Sequence, residues 1–123
     1  MKLNLEVRSA GEITILHCRG RLTYRDEATR FSQTVAEMIS ETSQLIIDMT
    51  GLESIDSAGL GELAVIHMWA RASRCALKLA GLSFRIRDLL ELTNLLGVFE
   101  TYPTLEAAIA SFEASRAQAM GAA

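Results

Sequence analysis

The chain has 123 residues, half of them hydrophobic, and 12 Lys and Arg against 15 Asp and Glu give it a net charge of −3. That is one domain's length, and size scaling lets such a chain bury roughly two thirds of its unfolded surface without disulfides or a structural metal. The absence of a basic cluster argues against nucleic acid, and no stretch nears the roughly 20 apolar residues that span a bilayer, which argues against direct membrane insertion.

Met1-Lys2-Leu3-Asn4 opens an alternating segment instead of a signal peptide. Cys18 and Cys75 are far apart and outside any Cys-x-x-Cys pair, so they read as small buried apolar residues in a reducing cytoplasm. Leu3, Leu5 and Val7 alternate with Asn4, Glu6 and Arg8 as in a half-buried strand, and Ser9-Ala10-Gly11-Glu12 turns into Ile13 to Arg19. That second strand carries Ile13 and Ile15 on one face and Leu16 and Cys18 on the other, the mark of an interior strand. Gly20-Arg21-Leu22-Thr23 breaks the pattern, and Ala28, Phe31, Val35, Met38 and Ile39 predict a helix over about 24–42.

Leu45 to Met49 predicts a short, doubly covered strand, and Gly51-Leu52-Glu53-Ser54 an approach loop. A second helix starts near Ala58 or Gly59, with Leu60, Leu63, Ala64, His67 and Met68 on its apolar face, and ends near Arg74. Ala76 to Ala80 is a strand stopped by Gly81. Phe84, Ile86, Leu89, Leu90 and Thr93 predict a third helix, and Gly97 to Thr101 a last strand. Thr104 follows Pro103 as an N-cap for a helix whose face is Leu105, Ala108, Ile109 and Phe112. From Ser115 the pattern weakens and the tail is expected to fray.

The order implies an α/β fold: a mixed, largely parallel sheet of about five strands with about four helices, an antiparallel edge coming from the first strand. No repeat or linker interrupts it. The expectation is a single domain over 1–123 with its core at about 3–112.

The run Ser54-Ile55-Asp56-Ser57-Ala58-Gly59-Leu60 carries the most information. It places a serine where a strand hands over to a helix, beside free backbone N–H groups and the positive end of a helix dipole, where a phosphate is well tolerated. A serine there is often only an N-cap. Here Asp56 can cap instead, and Ala58 and Gly59 keep the neighbourhood free of bulk, so Ser57 reads as an accessible phosphorylation site.

These residues resemble the STAS domain of anti-sigma factor antagonists. The hallmark is Ile55-Asp56-Ser57-Ala58-Gly59-Leu60-Gly61 after Leu45-Ile46-Ile47-Asp48-Met49. Gly20-Arg21-Leu22, Leu79-Ala80-Gly81-Leu82 and Leu95-Leu96-Gly97-Val98-Phe99 extend the resemblance over about 3–112. It implies a bacterial, cytoplasmic regulator of transcription with no catalytic activity and no cofactor or metal. Ser57 would be phosphorylated by an anti-sigma factor that is also a GHKL-type serine kinase. The unphosphorylated protein would bind that kinase and free a sigma factor, phosphorylation would break the complex, and a PP2C-like phosphatase would restore it. Ile55, Asp56, Ser57, Ala58 and Gly59, with the loop Thr23, Tyr24 and Arg25, would form the partner surface. Family members often carry aspartate where this chain has Thr23, so the loop points to a different partner or to a STAS protein outside the sigma cascade. The alternative is a STAS-like docking subunit of a transporter or signalling complex in which Ser57 only caps the helix.

Other chemistries find little support. A hydrolase would need a base and the Gly-x-Ser-x-Gly elbow, whose first glycine is missing, and His17 and His67 read as packed residues. Asp48 lies near a strand end, but no acidic pair precedes it to bind magnesium, so it is expected to accept backbone hydrogen bonds in the following loop. Gly59-Leu60-Gly61 is too short for a nucleotide fingerprint. Trp69 is a secondary candidate for a contact surface.

Overall fold

The structure is a computed structural model, which describes residues 2–119. Strands β1 (Asn4–Ala10) and β2 (Ile13–Leu22) form an antiparallel hairpin, followed by α1 (Arg25–Ile39), β3 (Gln44–Ile55), α2 (Ser57–Ala72), β4 (Ala76–Ala80), α3 (Phe84–Leu92), β5 (Glu100–Tyr102) and α4 (Leu105–Ala119). The sheet order is β1-β2-β3-β4-β5, and every pair after the first is parallel. Crossovers of one hand that always step in the same direction put their helices on one face. Accordingly α1, α2 and α3 cover the face bearing Leu16, Cys18, Leu45, Ile47 and Met49. The opposite face, with Ile13, Ile15, Ile46 and Ala80, is left to Ala108 and Phe112 of α4. The expected mixed, largely parallel sheet with four helices is thus present.

Four local expectations are corrected. Gly51-Leu52-Glu53-Ser54 is strand, not loop: β3 continues to Ile55 beside a β2 that itself runs on to Leu22, through two register shifts. Leu22, Leu52 and Ile55 are buried there, and keeping them so requires the extension. The last strand is displaced: Leu96–Val98 is a single 3-10 turn, and only Glu100–Tyr102 pairs with β4. That turn tucks Leu95 and Leu96 against the main core and brings the buried Phe99 ring to 5.4 Å from His67. On α2 the buried stripe is Gly59, Leu63, Ile66 and Ala70, with Met68 exposed, and on α3 Phe84 is exposed while Ile86 and Leu90 are buried. Residues 115–119, expected to fray, continue α4; the rest of that tail lies outside the described residues.

Both cysteines are buried free thiols, and burial pushes Cys18 up to about 12 and raises Cys75. No helix among the described residues is long and apolar enough to cross a membrane.

Candidate functional site

The sequence that ends β3 and starts α2 also sets the start of α1. Asp56 is in extended conformation and caps α2, its Oδ1 accepting the Gly59 N–H at 3.1 Å. Its other oxygen, Oδ2, accepts the Tyr24 N–H at 2.9 Å, just ahead of Arg25, the first residue of α1. One carboxylate therefore ties two helix starts together. The Asp56 N–H in turn donates to the Leu22 carbonyl at 3.3 Å, fixing the end of β2 in the same knot. Tyr24 adopts φ 66°, a left-handed conformation disfavoured for a non-glycine residue, and the bond to Asp56 helps to hold it there. Donation from Tyr24 above all, with further donation from Gly59 and Ala58, holds the Asp56 carboxyl below the usual range against the opposing effect of burial.

Because Asp56 is the cap, Ser57 stands one position later as the first helical residue, and its side chain is exposed. The cap role assigned to Ser57 in the docking-subunit alternative is therefore taken by its neighbour. Ala58 is half-buried. Ile55 and Gly59, expected at the partner surface, are buried and support it from beneath. Gly59 sits so close to β2 that a Cβ would lie 2.5 Å from the Leu22 carbonyl oxygen and 2.7 Å from Ile55 Cγ1. Tyr24 is 73% exposed and Arg25 is exposed, while Thr23 is half-buried. Of the expected set, Tyr24, Arg25 and Ser57 are the residues that reach solvent freely.

A second polar constellation went unforeseen. On the sheet face beyond α4, His17 Nδ1 lies 2.8 Å from Asp48 Oδ2, and Asp48 Oδ1 accepts from the Thr50 N–H at 3.1 Å and the Thr50 hydroxyl at 2.6 Å. Glu6, Arg8 and Arg19 join them around a cavity of about 460 Å³. The expected backbone hydrogen bond to Asp48 is present, but within the strand, and the histidine was missed because it depends on the pairing of His17 with Asp48 in the β2–β3 register. Among the described residues no group of three or more potential ligands could hold a metal. Trp69 lies far along α2 from Ser57, partly exposed beside Ala36, Ile39 and Ala72.

A family model for the STAS domain matches residues 4–108. The chain belongs to the STAS family. An anti-sigma factor antagonist from Mycobacterium paratuberculosis superposes with a TM-score of 0.80 at 21% identity, covering 89% of this chain and 93% of that one. The Bacillus cell fate determinant SpoIIAA in its phosphorylated form superposes with a TM-score of 0.67 at 19% identity, covering 89% and 98%. Murine Slc26a9, an anion transporter, matches at 0.73 and 16% identity over 84% of this chain but only 18% of its own. None of the curated proteins compared with the chain matches it significantly. At these identities the structural matches establish the fold that the STAS chain shares with regulators and transporter domains alike.

Proposed function

We propose that this STAS protein is an anti-sigma factor antagonist that works by partner switching, with Ser57 as the switch. The observation that carries the reading is the division of labour at the α2 start: Asp56 supplies the cap, and the adjacent Ser57 hydroxyl is left exposed. In the unphosphorylated state the surface formed by Tyr24, Arg25, Ser57 and Ala58 binds an anti-sigma factor of GHKL serine-kinase type. The kinase passes the γ-phosphoryl group of ATP to Ser57 Oγ: the Oγ–P bond forms, the β–γ anhydride breaks, ADP leaves, and the hydroxyl proton goes to a base of the kinase. A phosphoserine adds about −1.5 to −2 charges at pH 7, and like charge pressed into an interface costs several kcal/mol. The partner is released, and a PP2C-like phosphatase resets the switch. The protein performs no chemistry of its own and acts in the cytoplasm of a bacterium.

Affinity capture from the native cell extract with Ser57→Ala and Ser57→Asp baits tests this. Retention of a GHKL-type kinase by the alanine bait and its loss from the aspartate bait is the expected result. The same partners on both baits would make the chain a constitutive docking subunit.

A further inference from the structure

The starts of α1 and α2 face each other across a cleft of about 340 Å³, lined by Arg25 and Thr29 from α1 and by Ser57, Ala58, Gly61 and Glu62 from α2. Packing of α1 against α2 holds its walls apart, and a hydrogen bond ties the two helix starts together. Tyr24 precedes Arg25, Asp56 precedes Ser57, and the Tyr24 N–H donates to Asp56 Oδ2 at 2.9 Å. Arg25 is the cation on this lining, and among the described residues it enters no ion pair. The α2 wall beside Ser57 is free of bulk, and even a Cβ at Gly61 would meet nothing within 4 Å.

We propose that Arg25 pairs with the phosphate once Ser57 is phosphorylated, holding it as the dianion inside this cleft; the inference rests on the reading of Ser57 as the acceptor. A guanidinium suits the task because it stays charged and offers N–H donors in a planar fork that matches two phosphate oxygens. It also offsets the like charges nearby, Asp56 as the α2 cap and Glu62 on the cleft lining. Without Arg25 these carboxylates would favour the singly charged phosphate.

Phosphoserine installed at position 57 during translation tests the pairing without any kinase. Its second ionisation is followed by phosphorus NMR titration in the otherwise unaltered chain and with Arg25→Gln, Arg25→Lys or Arg85→Gln. Arg25→Gln is expected to raise the phosphate pKa by about 0.5 of a unit, a roughly threefold weaker preference for the dianion, in line with an exposed ion pair. Arg25→Lys restores most of the shift, and Arg85→Gln on α3, outside the cleft lining, leaves the pKa in place. A phosphate pKa equal within about 0.1 of a unit in the Arg25→Gln and unaltered chains would overturn the pairing. Because the phosphate is supplied directly, a negative result here leaves kinase capture by the Ser57→Ala bait unaffected, and loss of that capture leaves the titration unaffected.

Discussion

Asp56 illustrates how a single side chain can set both stability and presentation. Removing it in Asp56→Ala leaves the Gly59 and Tyr24 N–H groups without their acceptor, and a lost N-cap alone costs about 0.5–2 kcal/mol. Its carboxyl is held below the usual range, so its contribution is fully present above the unfolded-state value of about 3.9 and fades as pH falls through the lowered folded value. Urea titrations should therefore show a clear gap between Asp56→Ala and the unaltered chain at pH 7 that narrows below about pH 4. Asp48 offers a second test away from Ser57. It is 9% exposed, and its oxygens serve the half-buried His17 and the exposed Thr50, so Asp48→Ala removes these hydrogen bonds and should cost about 1–2 kcal/mol in the same measurement. The Asp56-Ser57 step was legible in the sequence because it is local. The Asp48–His17 pair was not, because residues 31 apart in sequence meet only through the β2–β3 register.

Among the elements, α4 docks on a buried lysine. Lys78 is buried on β4, its Nζ 2.7 Å from Ser111 Oγ and 3.2 Å from Glu100, and 3.9 Å above the Phe112 ring. Most of what it gives to the docking of α4 should lie in its packed stem, since a buried charge returns little once its desolvation is counted. Lys78→Met should thus unfold within about 1 kcal/mol of the unaltered chain, whereas Lys78→Ala, which leaves a void, should lose about 2–3 kcal/mol. Denaturant melts of the two variants separate packing from charge. The elements that the sequence revealed well were those with one clean period: β1, the first half of β2, α1 and α4. Where two periods competed, boundaries slipped. Gly51 marks a shift in register inside β3 and looks like a loop, and Leu95, Leu96 and Val98 look like strand although a one-turn helix buries the first two better. On α2, Met68 has the apolarity of a core residue, but the crossover geometry turns Ile66 inward instead.

At the scale of the whole molecule, the parallel crossovers put α1 and α2 side by side on one face, so that both helices start at the same end of the sheet. The resulting surface is carried by a buried base, so a change of charge on it should leave the fold intact. Gly59 marks the boundary between the two. The contact it makes with the Leu22 carbonyl is backbone to backbone, which cannot relax as a flexible side chain would, so Gly59→Ala should cost about 1–3 kcal/mol and lower the melting temperature. Ser57, two residues earlier, is exposed, and its hydroxyl is not the helix cap, so Ser57→Ala and Ser57→Asp should both unfold within about 0.5 kcal/mol of the unaltered chain. Partner capture should reverse that pattern, with Ser57→Asp losing the kinase at undiminished stability. A Ser57→Asp chain that unfolds as readily as Gly59→Ala would mean that added charge acts by breaking the fold, and the separation of base from surface would fail.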